Sequence, residues 1–257
     1  MLAKTRAVAL RISPFSQTSH VVSWLSPDWG RLSTVIKGAC RRNSRFLGEY
    51  DLGATTELVF YRREREGLHV ARECSLETAR GYLRNDWRAY AAASWGLELA
   101  ARSGTGPDEA GRVFALLEAF LDGLAGSPAA WRLLGFEMDL MGALGFRPVL
   151  DRCARCGAGF VRGTPVAFSA AHGGTVCAQD EHAPIAPDVL ALLRRLAAGR
   201  RQDDGRSLRG LTASTDQLLA CARVVGTLLS HHLEVSPEPR DLAYGLLAGK
   251  RKPTQRR

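Results

Sequence analysis

The sequence predicts an α+β multidomain fold: an N-terminal five-stranded barrel followed by an α-helical domain with an inserted cysteine knuckle. Three observations carry this. Five short segments with period-two apolar alternation fall within the first part of the chain, up to Cys74. After Leu76 the apolar spacing changes to the three-and-four of amphipathic helices. Between two such helical stretches, Cys153 and Cys156 stand at Cys-x-x-Cys spacing and Cys177 follows the pair Gly173-Gly174. The expected division is a barrel over 1–80 and a helical domain over 81–257, interrupted by the knuckle at about 150–184.

The 257 residues, 46% hydrophobic and 24% charged, have an ordinary soluble composition with room for two or three small domains. A net charge of +9 points to a polyanionic partner, since a basic surface attracts phosphates and releases counterions on binding. The charge is concentrated. Arg31, Lys37, Arg41, Arg42 and Arg45 lie in a stretch, 31–48, with no acidic residue, and Lys250, Arg251, Lys252, Arg256 and Arg257 repeat the pattern in the tail. Six scattered cysteines form no disulfide ladder, no signal peptide with an apolar core precedes them, and no apolar run approaches a membrane span. A reducing cytoplasm is the expectation.

Taken in order, Val8, Leu10 and Ile12 share one face of a first strand at 5–12, opposite Arg11. His20 to Ser26 is the second strand, Pro27-Asp28-Trp29-Gly30 a turn, and Arg31 to Lys37 the third strand. The basic connection from Gly38 to Tyr50 follows, then strands at 55–61 and 68–74. The mixed-charge segment 62–67 between them reads as a solvated hairpin tip. This spacing fits a small closed barrel of the OB type, although periodicity does not separate it from an SH3-like barrel. Trp24, on an alternating strand, is expected in the core; Trp29 and Phe46 are the aromatics best placed to stack on bases. His20, His69, Cys40 and Cys74 have no chemical partner nearby in sequence and read as structural.

Trp87 to Ala101 is an alanine-rich helix ended by the Gly104–Gly106 region. Asp108 opens a second helix with Val113, Leu116, Leu117, Phe120, Leu121 and Leu124 on its apolar face, and a third runs from about Ala129 to a C-cap at Gly145. These stripes read as bundle core. Beyond the knuckle, Ala186 opens a helix through Leu190, Leu193 and Leu196. A loop with Gln202-Asp203-Asp204-Gly205 leads to a last long helix carrying Leu218, Cys221, Val225, Leu228 and Leu229. His231 and His232 point about 100° apart and cannot share one ion, so they read as helix-end residues favoured by the dipole.

In the knuckle, Cys-x-x-Cys lets a tight turn aim two thiolates at one tetrahedral metal, and Gly157 relaxes the backbone behind them. Cys177 can begin the second half. A strict repeat would place its partner at Asp180, but His182 at Cys-x4-His spacing is the softer donor, so Cys153, Cys156, Cys177 and His182 are the predicted ligands of a structural zinc. A redox pair would want a strand before it, where Gly-Phe-Arg-Pro stands instead. A catalytic zinc of the deaminase kind needs His-x-Glu and Pro-Cys-x-x-Cys; here Arg152 precedes the first cysteine.

Together, Leu144-Gly145-Phe146-Arg147-Pro148-Val149-Leu150-Asp151-Arg152-Cys153-Ala154-Arg155-Cys156-Gly157, the Gly-Gly-x-x-Cys return and the N-terminal Val35-Ile36-Lys37-Gly38-Ala39-Cys40-Arg41-Arg42-Asn43-Ser44-Arg45 resemble the bacterial RecO family of DNA repair proteins, the recombination mediators. The order of features matches along nearly the whole chain. The departure is Asp180, where family members with a complete zinc site usually carry Cys. The resemblance selects the OB fold. It further implies binding of single- and double-stranded DNA, annealing of complementary strands, and loading of RecA on DNA coated by single-stranded DNA-binding protein, in company with RecR.

No Walker loop, Gly-x-Ser-x-Gly, His-Glu-x-x-His or carboxylate pair on a known scaffold appears, so a non-enzymatic mediator in the cytoplasm, associated with the nucleoid, is the leading expectation. Arg31, Lys37, Arg41, Arg42 and Arg45 are its predicted phosphate contacts. The alternatives are a zinc-ribbon protein of RNA metabolism or transcription and a zinc hydrolase with an open coordination position.

Overall fold

The computed structural model describes residues 1–63, 67–103, 107–126, 128–161, 164–178, 184–199 and 213–249. The tip 64–66, the segment 104–106, Asp180 and His182, the loop with Gln202 and the basic tail from Lys250 lie outside the described residues. Cα packing divides the chain into two compact units, Met1–Gly126 and Ser127–Arg257.

In the first unit, β1 (Leu2–Ser16), β2 (Ser19–Ser26), β3 (Gly30–Ile36), β4 (Thr55–Tyr61) and β5 (His69–Thr78) close into a barrel of order β1-β2-β3-β5-β4. All neighbours are antiparallel except β3 and β5, which pair parallel through Thr34 with His69 and Val35 with Val70. The barrel interior is built from Ala3, Ala7, Ala9, Val22, Trp24, Leu32, Ile36, Leu58, Phe60, Ala71 and Cys74. Trp24 is fully buried, as its alternation predicts, and donates its indole N–H to Thr34 Oγ1 at 2.9 Å.

The face of β1 differs from the expectation. Ala7 and Ala9 belong to the barrel core, whereas Val8 and Leu10, also buried, fall outside it. Leu10 lines a cleft together with Ser94, Leu97 and Ala101 of α1 (Trp87–Arg102). Both faces of β1 are therefore covered, and a register shift between Ala9 and Arg11 splits the expected face, so that Ile12 packs against the barrel core while Leu10 faces the helix.

α1 and α2 (Pro107–Gly123) pack on each other and on the barrel within this unit. A Cβ on Gly96 would stand 2.4 Å from the Phe120 ring, so a glycine permits their close crossing. Asp86 caps α1 by accepting from Arg88 N and Ala89 N. Buried Arg80, with φ +45°, donates to Asp122 at 2.7 Å, to the Gly53 carbonyl at 2.8 Å and to Thr55 Oγ1 at 2.9 Å, tying strand, loop and helix together.

The second unit contains α3 (Ala129–Ala143), the hairpin β6 (Val166–Ser169) and β7 (Gly174–Cys177), α4 (Pro187–Gly199), α5 (Thr215–Leu233) and α6 (Pro237–Leu247). α3 ends in a Schellman turn: Gly145 takes φ +87°, Phe146 N bonds the Met141 carbonyl at 2.7 Å and Gly145 N that of Gly142 at 3.3 Å. Buried Glu137 on α3 accepts two bonds from Arg240 on α6, at 2.8 and 2.7 Å, and one from Tyr244 at 2.9 Å. Gly226 on α5 makes room, since a Cβ there would meet the guanidinium at 2.6 Å. α6 and this pair lie beyond the elements expected from the sequence.

His231 and His232 stand in the last turn of α5 as expected, but His232 differs from the dipole reading. His232 stacks on Phe146, with centroids 4.2 Å apart at 19°, and burial followed by the neighbouring His231 lowers its pKa. Desolvation outweighs the helix end here.

Candidate nucleic-acid interface and metal centre

The connection from Lys37 to Tyr50 is a run of turns, with Arg41 N, Ser44 N and Leu47 N bonding the carbonyls of Gly38, Arg41 and Ser44. Two residues pin it to the barrel: Ala39 and Phe46 are buried in the same core as Trp24. Phe46, expected to stack on bases, is only 5% exposed and fills the barrel instead. Between these anchors Arg41, Arg42 and Arg45 are exposed, as is Lys37. Gly38 adopts φ +71° and its α-carbon faces the Arg41 stem, where a Cβ would lie 3.4 Å from Cδ.

What marks these cations is that no acidic residue lies within 31–48; freedom from ion pairs among the described residues they share with other arginines, Arg62, Arg88 and Arg112 among them. Among the described residues, Lys4, Arg6, Arg72, Arg80, Arg84, Arg102 and Arg240 are in ion pairs, whereas Lys37, Arg41, Arg42 and Arg45 are in none. Arg45 lies over the Phe46 ring, its carbon 5.0 Å from the centroid. Arg31 is exposed too, but its guanidinium is hydrogen-bonded to the Ala101 carbonyl. It borders an open cleft of about 730 Å³ with Arg11, Arg102, Ser23 and Ser33. Arg11 is a cation that alternation places on the polar face of its strand without marking it as part of a cleft; it too is in no ion pair among the described residues. Trp29 keeps 37% exposure, edge-on to Phe60 with Arg62 across its ring, so it remains an available aromatic.

The knuckle brings its three cysteines together. The sulfurs of Cys153, Cys156 and Cys177 lie within 4.8 Å of one another and could hold a metal ion. Cys156 N donates to Cys153 Sγ at 3.4 Å, Gly157 N to the Cys153 carbonyl at 2.9 Å, and Gly157 takes φ +75°, the tight turn the spacing predicts. Backbone donors, that of Cys156 first, draw the Cys153 thiol down to about 6, while bonding to Cys153 raises that of Cys177. The two glycines before Cys177 act differently. Gly173 turns the hairpin at φ +69°, and Gly174 lets β7 pass the Val149 carbonyl, which a Cβ would meet at 2.2 Å.

The donor set fits a thiolate-seeking metal. Among the described residues the local core around the sulfurs is Cys153, Ala167 and Val176, with Phe160, Cys177 and Ala178 against it, a small cluster of the kind that a metal crosslink stabilises. Pro148, Leu150 and Phe168 anchor its other side to Met138, Met141 and Leu193 of the helices, and Arg194 donates to the Leu150 carbonyl at 2.7 Å. The chain leaves at Ala178, bonded to the Pro165 carbonyl, and returns at Pro184, paired with Ala167.

Comparison with known proteins decides the family. Residues 1–80 match the family described as Recombination protein O N terminal, and residues 84–241 match Recombination protein O C terminal. The chain belongs to the recombination protein O family. It is 36% identical over 241 residues to the DNA repair protein RecO of Anaeromyxobacter dehalogenans (strain 2CP-1), covering 90% of this chain and 91% of that one. It is 35% identical to the namesake of Anaeromyxobacter sp. (strain K), with the same coverage, and 31% identical to that of Roseiflexus sp. (strain RS-1), over 94% of this chain and 84% of the relative. The five-stranded closed barrel is accordingly the OB fold of the recombination protein O N-terminal domain. Among the described residues no helix is long and apolar enough to cross a membrane.

Proposed function

We propose that this chain is a non-enzymatic recombination mediator that binds single- and double-stranded DNA through Lys37, Arg41, Arg42 and Arg45, with Arg31 at the flank. The observation that carries the reading is the loop of unpaired cations held in place by Ala39 and Phe46. Cations on an anchored loop, not neutralised internally, can exchange counterions for phosphates without the cost of ordering the backbone, and such contacts read backbone and leave bases unread. That suits annealing, in which any complementary pair of strands must be accepted. Trp29 supplies a stacking face.

In this reading 1–80 is the nucleic-acid-binding domain and 81–257 the helical domain that docks proteins. RecR and single-stranded DNA-binding protein are the partners, RecA is the recombinase loaded, and the cytoplasm, at the nucleoid, is the place of action. Zinc is structural, held by Cys153, Cys156, Cys177 and His182; it supplies the crosslink that the small core of the knuckle lacks.

The test is annealing of complementary oligonucleotides precoated by the cognate single-stranded DNA-binding protein. Wild type should accelerate it and the Arg41→Gln/Arg42→Gln/Arg45→Gln variant should not. Equal acceleration by both would remove the loop from the mechanism.

A further inference from the structure

The barrel unit carries a second constellation, which strand binding does not use. Cys40 Sγ lies 3.2 Å from His20 Nε2, and the other ring nitrogen, Nδ1, lies 2.7 Å from Tyr50 Oη. His20 comes from the start of β2, Cys40 from the first turn of the basic connection and Tyr50 from its end. Sequence alone reads His20 and Cys40 as unpartnered; closure of the barrel makes them neighbours. Cys40 N is anchored to the Thr18 carbonyl at 3.1 Å, and Tyr50 meets the His20 ring edge-on at 6.2 Å. Burial, then Cys40 and Cys74, push the Tyr50 phenol up to about 12, so it stays neutral and its oxygen can accept from Nδ1–H. In the tautomer protonated at Nδ1, Nε2 is free to take a proton from sulfur. Nucleophile, base and orienting group stand in line, the order that activates a thiol.

Exposure and charge select what reacts. Cys40 is exposed, whereas Cys74 and Cys221 are buried and their thiols are pushed up to about 12 by that burial. Arg41 and Arg42 follow it directly, without ion pairs among the described residues, and neighbouring cations attract an anionic reagent.

We propose that Cys40 is a thiol–disulfide exchange site for small anionic disulfides of the glutathione class, with His20 as base and Tyr50 as positioning residue. The Cys40 S–H proton passes to His20 Nε2 as Sγ attacks one sulfur of the disulfide. A new Sγ–S bond forms while the reagent's S–S bond breaks, and the departing thiolate takes the proton from His20. One disulfide is consumed, one thiol is released, and the protein carries a mixed disulfide. The attached group sets carboxylates beside Arg41 and Arg42 and so competes with phosphate. This last consequence rests on the strand-binding reading; the exchange does not.

The test incubates the full chain with glutathione disulfide or with neutral 2-hydroxyethyl disulfide and follows each cysteine by peptide mass spectrometry. Cys40 should exchange with glutathione disulfide well ahead of Cys74 and Cys221. His20→Gln should slow it about tenfold, because a free thiol is only a few per cent ionised near neutrality. Tyr50→Phe keeps the ring and the imidazole and should slow exchange several-fold. Arg41→Gln/Arg42→Gln should abolish the preference for the anionic reagent. Equal Cys40 rates in wild type, His20→Gln and Tyr50→Phe overturn the proposal, whatever the DNA affinity. Strand affinity is read separately on the same samples: it should fall on exchange, recover with dithiothreitol and be insensitive in Cys40→Ser. Exchange without loss of affinity upholds the thiol site and counts against the loop as the strand-binding surface.

Discussion

Replacing Arg41, Arg42 and Arg45 together by glutamine removes three exposed guanidiniums, none of them neutralised by an acidic neighbour among the described residues. Each phosphate contact on a single strand contributes about 0.7 to the slope of log affinity against log salt, so the triple variant should lose up to about 2 from that slope. At this value a fourfold rise in salt weakens wild type by about twentyfold more than the variant. Folding stability should change by less than about 0.5 kcal/mol at Arg41 and at Arg42, and by about 0.5–1 kcal/mol at Arg45, which lies over the Phe46 ring. Fluorescence anisotropy with a labelled oligonucleotide over a salt series measures the slope, and thermal melting checks the fold. Arg84→Gln is the control: Arg84 is also exposed but paired with Asp51, and its slope should match wild type. A triple variant with the wild-type slope would refute the reasoning and move the contacts to another surface, with the basic tail next to be tested.

Other outcomes follow from the second unit. X-ray absorption of the zinc-loaded protein should show about three sulfur neighbours near 2.3 Å and one nitrogen near 2.0 Å, and His182→Ala should lower metal retention more than Asp180→Ala; the reverse order would make the carboxylate the ligand. Glu137→Leu leaves buried Arg240 uncompensated and should cost about 3–5 kcal/mol in urea unfolding, while Glu137→Leu with Arg240→Met should cost clearly less than the sum of the single changes. Because folding lowers the pKa of His232, the unfolded chain binds the proton more readily, so its contribution is present above the unfolded value near 6.5 and is lost as pH falls from there through the lowered folded value. The melting temperature should therefore drop less on acidification in His232→Phe than in wild type; equal drops would show that the stacked imidazole does not titrate against folding.

Much of the site was legible because its chemistry is local. Cys153 and Cys156 are joined by one turn, and their spacing alone implies that turn, which the structure completes with the Cys156 N–H on sulfur and a left-handed Gly157. The five strands follow from alternation, and α1 to α3 from helical periodicity. The basic loop follows from composition, since no acidic residue interrupts it.

What remained hidden depends on partners distant in sequence. Alternation along β1 is a local property, but which side faces inward depends on how tightly the barrel closes and on what covers its outside; small Ala7 and Ala9 fit the interior while Val8 and Leu10 lie beyond it. Phe46 sits among arginines and reads as a stacking residue until the connection folds back and buries it with Trp24. Glu137 and Arg240 are 103 positions apart, and a buried carboxylate is recognisable only once its guanidinium is in place. The same holds for His20 and Cys40. The sequence by itself determined the periods, the knuckle turn and the sign of the loop's charge, because these are set by neighbours along the chain. Only the tertiary structure decided which faces are buried, which cations are left unpaired and which thiol meets an imidazole, because burial and pairing are properties of packed surfaces.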